Sequence, residues 1–350
     1  MRTLDEHPTT TFTAPAFAPA PAESRGTARD DTRLLVGRPD GIRHASFRDL
    51  AEQLEPGDLV VVNNSATVAG QVDARSTRHG AVVVHVAMPL DDGSWVVEVR
   101  SAPDAARAVL DARPGDRLTL AGATLDLLEP YPSSGSSPTR RGNRLWRAVV
   151  GGDLPRTLGR HGRPISYGYL DRAYPLTDYQ TIFGTRPGSA EMPSAARPFT
   201  TALVTRLVSK GVAVAPITLH TGVSSQEAGE APQQERFEVP ASTAAAVNAV
   251  RAGGGRVVAV GTTATRALES AVADDGRVVA RAGWTERVVT PADPPRVVTG
   301  LVTGWHDPAA SHLLLVEAVA GPALTQAAYD AAVAAGYLWH EFGDAALLLP

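Results

Sequence analysis

The stretch Gly254-Gly255-Arg256-Val257-Val258-Ala259-Val260-Gly261-Thr262-Thr263-Ala264-Thr265-Arg266-Ala267-Leu268-Glu269-Ser270 decides the fold class. The unbroken apolar run 257–260 predicts a strand buried on both faces. Gly261-Thr262-Thr263 turns that strand directly into a helix predicted over 263–273. A strand-to-helix turn lies at the carboxyl end of a sheet, where open α/β folds bind ligands. The helix start offers N–H groups and a positive dipole end to a carboxylate or phosphate. Gly261, Thr262 and Thr263 lie at that start, and Arg266 follows one turn in. No Gly-Lys-Ser/Thr follows, so this is not a P-loop. The glycines 253–255 precede a strand, whereas a dinucleotide fingerprint follows one.

The same alternation extends outward. Residues 199–210 predict a helix that Gly211 ends, and 212–219 a buried strand. Residues 242–252 predict a helix capped near Ser242, 313–319 a buried helix, and 345–349 a last strand. Near the start, a strand opens at Arg33-Leu34-Leu35-Val36, a short helix is predicted over 44–54, and 59–62 is another buried strand. Between 68 and 150 the texture changes. β-Branched runs at 81–87, 95–99, 117–120, 123–128 and 145–150 alternate with turns such as Asp91-Asp92-Gly93, with some helix at 104–110. Short strands with close turn signals predict a small antiparallel barrel. The expected architecture is therefore α/β: a sheet flanked by helices, made of 26–67 and 155–350, with an inserted antiparallel β-barrel at 68–154. Residues 1–25, rich in Thr, Pro and Ala, are expected to be flexible.

Composition narrows the chemistry. The chain has 350 residues, 43% of them apolar, enough for a sizeable core. It has no cysteine, which excludes disulfides, thiolate metal sites and a cysteine nucleophile. No signal peptide or membrane span is expected, which makes the cytoplasm the expected location. His220, His306, His312 and His340 lack the close spacing of a zinc motif, so no metal is expected. The net charge of -4 argues against a broadly basic nucleic-acid surface. Arg140, Arg141, Arg144, Arg147, Arg156, Arg160, Arg163 and Arg172 form a local basic run, read first as a solvated loop and second as a phosphate patch. His220 ends a buried strand, and Arg29-Asp30-Asp31-Thr32-Arg33 crowds the mouth of another.

Several blocks occur in order: 29–36, Pro56-Gly57-Asp58-Leu59-Val60-Val61-Val62-Asn63, Tyr179-Gln180-Thr181-Ile182-Phe183, Lys210-Gly211-Val212, Thr218-Leu219-His220, 254–270, and Phe342-Gly343-Asp344-Ala345. Together they resemble the S-adenosylmethionine:tRNA ribosyltransferase-isomerases of queuosine biosynthesis, from about residue 30 to the C-terminus. The resemblance implies an α/β domain carrying a β-barrel. It implies transfer and isomerisation of the ribosyl part of S-adenosylmethionine onto 7-aminomethyl-7-deazaguanine in the tRNA wobble position, releasing adenine and methionine without a metal. On matching positions it implies His220, Glu235 and His306 for acid–base or orienting work. It implies Gly261, Thr262, Thr263, Arg266, Arg29, Asp30, Arg33, Asn63 and Phe199 around S-adenosylmethionine.

The chain departs from the family's motifs at Ala66, Pro198, Gln233 and Arg236. With the net charge, these departures set the expectation of a divergent S-adenosylmethionine-consuming enzyme acting on a small molecule. The alternatives are the tRNA reaction itself and a catalytically inactive ligand-binding protein.

Overall fold

The computed structural model describes residues 4, 6–13, 16–134, 140–224, 229–307 and 310–350. Parts of the loops expected at 132–142 and 223–234, and of the segment 1–25, lie outside the described residues. In chain order the strands are β1 (Ala16–Phe17), β2 (Arg33–Arg38), β3 (Gly41–Ser46), β4 (Leu59–Asn63), β5 (Ser65–Thr67), β6 (Gln71–Ser76), β7 (Gly80–Pro89), β8 (Trp95–Ser101), β9 (Arg117–Thr119) and β10 (Ala123–Pro130). There follow β11 (Leu145–Gly152), β12 (Arg186–Ser189), β13 (Ala213–Leu219), β14 (Arg236–Val239), β15 (Val257–Val260), β16 (Arg281–Trp284), β17 (Gly300–Thr303), β18 (Leu338–Trp339) and β19 (Ala345–Leu348). The helices are α1 (Leu154–His161), α2 (Thr201–Lys210), α3 (Ala241–Ala252), α4 (Gly261–Ser270), α5 (Ser311–Ala320) and α6 (Pro322–Ala334).

The central sheet has nine strands in the order β16-β14-β13-β4-β15-β17-β19-β2-β3. Its middle, β13-β4-β15-β17, is parallel throughout. Alternate side chains of these strands enter different cores. Leu59, Val61, Val257, Ala259 and Leu301 face one core with α4, α5 and α6. Val60, Val62, Val258, Val260 and Val302 face the other with Phe47, Phe199 and Leu203. Burial on both faces explains why these strands read as continuous apolar runs.

Two turns hold the amino ends of β4 and β15 together. A Cβ on Gly255 would lie 2.2 Å from the Gly57 carbonyl oxygen, so only glycine fits there. Beside it, Arg256 Nη2 donates to Asp58 Oδ2 at 2.6 Å. Burial raises the Asp58 pKa, but the Arg256 hydrogen bonds and the Glu55 N–H outweigh it and hold the carboxyl below its usual range.

The inserted unit is a closed barrel in the order β10-β11-β8-β7-β6-β9. Its interior holds Val72, Val84, Val97, Leu118, Leu125 and Trp146. A buried charge cluster links it to the loop before β14. Arg100 Nη1 donates to Glu98 at 2.6 Å, and Arg144 Nη2 to Glu230 at 2.7 Å. Burial pushes the Glu98 carboxyl up, but Arg144, His85 and Arg100 outweigh burial and hold its pKa at about 2. At the sheet edge, Trp284 Nε1 donates to Asp91 Oδ2 at 2.8 Å.

Several expectations need correction. Residues 16–25, taken as flexible, are packed: Ala18, Ala20 and Ala22 are buried, and β1 pairs with β18. Upstream, the N–H and Oγ–H of Thr10 both donate to the buried Glu317 Oε1 at 2.7 Å. The helix predicted over 44–54 starts only at Phe47, as a 3-10 turn to Gln53, because β3 takes Gly41–Ser46 as partner of β2. Residues 104–110 are not helical; Ala108 bridges to Arg100 in an extended pairing. Helix α3 begins after Pro240 without a side-chain cap, not at Ser242. The alanine-rich α6 has too little hydrophobic contrast to be predicted.

Glu269 locks α4 to the segment entering β17. Its Oε1 accepts the N–H groups of Val297 and Val298 at 2.9 and 3.0 Å. Its Oε2 accepts Arg296 N–H at 2.8 Å and Arg287 Nη1 at 2.9 Å. Removing one member of a buried pair leaves the rest unsatisfied and costs about 3–5 kcal/mol. Glu269→Ala is therefore expected to lower unfolding stability by about that amount, measured as the shift of the urea midpoint at constant slope.

Candidate active site

The carboxyl ends of β4, β13, β15 and β17 converge on one side of the sheet. A cavity of about 530 Å³ lies there, and the barrel residue Arg100 is part of its lining. The volume is in the range of small-molecule sites, roughly 300–1,000 Å³. Three of the four strands lead into it, through Thr221 and Gly222, through Gly261 to Thr263, and through Thr303 to His306. The fourth supplies support from beneath. Asn63 is fully buried, donates Nδ2 to the Leu219 carbonyl at 2.8 Å and accepts Leu219 N–H at 3.0 Å. Its Nδ2 also reaches Thr263 Oγ1 at 3.3 Å. Asn63 thus fixes the ends of β13 and α4 relative to β4.

Helix α4 points its amino end into the cavity. Gly261 takes φ +88°, which permits the abrupt turn out of β15, and Ala195 packs 3.3 Å from where its Cβ would be. No side chain caps this helix start. Its first-turn N–H groups and the Thr262 and Thr263 side chains face the cavity, a ready site for an anion.

One turn on, Arg266 is buried. It pairs through Nη1 with Glu235 Oε2. Its Nη2 donates to the Gln233 carbonyl at 2.6 Å and to Thr285 Oγ1 at 2.9 Å. Its Nε is buried without a partner among the described residues. Glu235 Oε1 accepts Gly222 N–H at 3.0 Å. Burial raises the Glu235 carboxyl above its usual range, although Arg266 and the Gly222 N–H pull the other way.

The opposite walls carry aromatic rings and further acids. Glu191 accepts the Tyr167 hydroxyl and both the N–H and hydroxyl of Ser224. Burial and then Glu191 push the Tyr167 phenol well above its usual pKa, so it stays a donor. Tyr169 stacks on His340 with centroids 4.6 Å apart. His306 stacks on His312 at 5.0 Å, and its Nε2 lies 3.1 Å from Thr303 Oγ1. Burial drives the His306 imidazole well below its usual range, reinforced by His312 and His340. Burial, with Arg266 nearby, lowers His312 to about 4. Both rings are neutral at pH 7. Glu341 also faces the cavity, and burial pushes its carboxyl up to about 7, against its own backbone N–H.

The structure gathers Glu235, His306, Gly261, Thr262, Thr263 and Arg266 around this cavity. The other expected residues lie elsewhere. His220 turns to Ser65, with Nδ1 2.7 Å from its Oγ. Arg29 is held by Glu23 and the Gln180 carbonyl, and Asp30 accepts from Thr200 Oγ1 at 3.1 Å. Arg33 is bound to Asp344 and lies over the Tyr337 ring. Phe199 is core, edge-on to Phe47 and Phe183. The sequence reading missed Glu191, Tyr167, Tyr169, His312, His340 and Glu341 as site residues. None of them falls in a family-like block, although Glu341 directly precedes the one starting at Phe342; they arrive by tertiary approach. Among the described residues no group of three His, Asp or Glu could hold a metal ion, and no helix is long and apolar enough to cross a membrane.

The fold and cavity define a class: an open α/β protein with an inserted β-barrel and a ligand site at the carboxyl ends of its parallel strands. Residues 11–348 match the family described as queuosine biosynthesis protein, and the chain belongs to that family. A relative from Acidiphilium cryptum, named S-adenosylmethionine:tRNA ribosyltransferase-isomerase, is 36% identical over 346 residues, covering 95% of each chain. One of the same name from Thermus thermophilus is 35% identical over 333 residues, covering 92% of this chain and 93% of its own. The crystal structure of S-adenosylmethionine tRNA ribosyltransferase from Thermotoga maritima is similar, with a TM-score of 0.52 and 27% identity, over 97% of this chain and 99% of that one.

The shifted groups predict opposite pH effects on stability. Below pH 6.5 an unfolded chain protonates His312, while the folded chain refuses that proton until about pH 4. Stability from this group is therefore lost as pH falls through that window. Glu341 works the other way: from pH 4.5 to about 7 the folded chain keeps a proton that the unfolded chain gives up, so stability falls as pH rises. In thermal melts, His312→Gln should flatten the loss between pH 6.5 and 4. Glu341→Gln should melt above wild type at pH 8 and level with it at pH 4.

Proposed function

We propose that the protein consumes S-adenosylmethionine and transfers and isomerises its ribosyl part onto 7-aminomethyl-7-deazaguanine in tRNA. The observation that carries this reading is the uncapped start of α4, which lines the cavity together with Arg266 one turn on. That pair suits the methionine carboxylate of the substrate. The remaining walls suit its other parts. Tyr167, Tyr169 and Trp305 put aromatic rings into the lining, suited to the adenosine, and Glu191 and Glu341 put carboxyl groups there for the sulfonium.

The chemistry requires a pocket that orients, excludes water and moves protons. The sulfonium supplies the driving force by acidifying the ribose carbon beside it and making methionine a good leaving group. His306 and His312, neutral and buried, can donate or accept hydrogen bonds without adding positive charge next to the sulfonium.

For the acceptor, the names of the relatives favour tRNA over the small molecule expected from net charge. Net charge is also a poor guide to a local surface. Within the basic run, Arg144 is buried against Glu98 and Glu230, while Arg140, Arg141, Arg156, Arg160 and Arg172 are exposed. These five are the exposed groups of the run that can meet phosphates. A tRNA acceptor makes the cytoplasm the place of action.

Incubation with S-adenosylmethionine and tRNA bearing the aminomethyl base should release adenine and methionine and leave epoxyqueuosine in the tRNA, read by mass spectrometry of nucleosides. Unmodified tRNA recovered with intact S-adenosylmethionine would contradict the reading. Arg156→Glu with Arg160→Glu should raise KM for tRNA and leave S-adenosylmethionine binding unchanged, measured by steady-state kinetics and calorimetry.

A further inference from the structure

Four carboxylates face the cavity: Glu191, Glu235, Asp307 and Glu341. Two are fully engaged. Glu235 gives one oxygen to the Gly222 N–H and the other to Arg266. Glu191 gives one to Tyr167 and Ser224 N–H and the other to the Ser224 hydroxyl. Asp307 is half exposed and lies 4.0 Å from His340 Nε2. Glu341 differs from all three. Its Oε2 is buried and has no hydrogen-bond partner among the described residues. A buried carboxyl oxygen without a partner calls for an explanation, and Glu341 is a lining residue of the ligand cavity.

The backbone that carries Glu341 is firmly held. It lies in the tight connection from β18 to β19, where Gly343 N–H donates to the His340 carbonyl at 2.9 Å. A Cβ on Gly343 would lie 2.4 Å from the Leu338 carbonyl oxygen, so the turn admits no larger residue. Asp344 anchors one side, accepting Leu338 N–H at 2.8 Å and Arg33 N–H at 2.9 Å. Phe342 anchors the other, packed edge-on to Tyr174 and Tyr179 and under the Arg197 guanidinium. The carboxyl is thus presented to the cavity from a fixed base.

We propose that Glu341 is the base of this site, its carboxylate taking a proton from the ribose carbon bonded to the sulfur of S-adenosylmethionine. The assignment rests on the S-adenosylmethionine reading above and is independent of the acceptor. The C–H bond breaks, an O–H bond forms on Glu341, and the electron pair stays on the carbon beside the positive sulfur. No oxidant or reductant is needed, and Glu341 gives the proton to water after the products leave. A carboxyl titrating at about 7 suits the task, since a base works best near the operating pH. His306 Nε2 already lies against Thr303 Oγ1 at 3.1 Å.

The test uses the full chain, with wild type, Glu341→Gln and Glu341→Asp. Calorimetry reads S-adenosylmethionine binding. Mass spectrometry reads deuterium entering recovered S-adenosylmethionine from D2O, and chromatography reads adenine released with modified tRNA. Glu341→Gln should bind S-adenosylmethionine more weakly, having lost one charge beside the sulfonium, and at saturating S-adenosylmethionine should lose exchange and adenine release by on the order of 100–10,000-fold. Glu341→Asp, which keeps the charge but withdraws it, should fall between, and it decides the matter if the Gln variant does not fold. Either variant retaining both rates at the wild-type level overturns the assignment. A wild-type protein that binds S-adenosylmethionine but shows neither rate overturns it too. Wild type that binds no S-adenosylmethionine overturns the function reading itself, a different failure.

Discussion

The site depends on the buried pair of Arg266 and Glu235. Arg266 comes from α4, Glu235 from the loop entering β14, and the same guanidinium reaches Thr285 after β16. One ion pair therefore joins a helix from the parallel middle of the sheet to its antiparallel edge. Glu235 extends the link to Gly222, where the chain leaves β13. Loss of either charge would leave the other buried and unpaired, which is the costly case for such pairs. The barrel is tied into the same loop through Arg144 and Glu230, close in sequence to Gln233 and Glu235.

The electrostatic pattern around this pair is a division of labour. The cationic side of the cavity is the start of α4 with Arg266. The acidic side is Glu191 and Glu341, while the histidines are kept neutral by burial. A zwitterionic ligand with a separate sulfonium fits that division: carboxylate toward the helix, sulfonium toward the acids. Asn63 does not face the ligand, yet it sets the spacing by holding Leu219 and Thr263 together.

Much of the fold was legible because its signals are local. Runs such as 59–62 and 257–260 are apolar on both faces, and only a strand buried on both faces needs that. The barrel announced itself by β-branched runs and turns. Residues 16–25 misled because Ala and Pro look the same whether solvated or packed; Ala18, Ala20 and Ala22 are buried in the fold. Helix α6 was hidden for the same reason. In the site, Gly261, Thr262, Thr263 and Arg266 were legible since one strand–turn–helix carries them all. Glu341 was not: nothing in Leu338-Trp339-His340-Glu341-Phe342 marks a carboxyl that the turn between β18 and β19 delivers to the cavity beside the end of β17. Arg33 misled in the opposite sense, as its charge belongs to the anchoring of Asp344.

The central claim is that the cavity at the ends of β13, β15 and β17 holds S-adenosylmethionine. A crystal structure of the protein soaked with S-adenosylmethionine tests it most directly. The account predicts the methionine carboxylate at the start of α4 within hydrogen-bond reach of the Thr262 or Thr263 N–H, and the sulfonium on the side of Glu341. Ligand density elsewhere, or with the carboxylate turned away from α4, would contradict it.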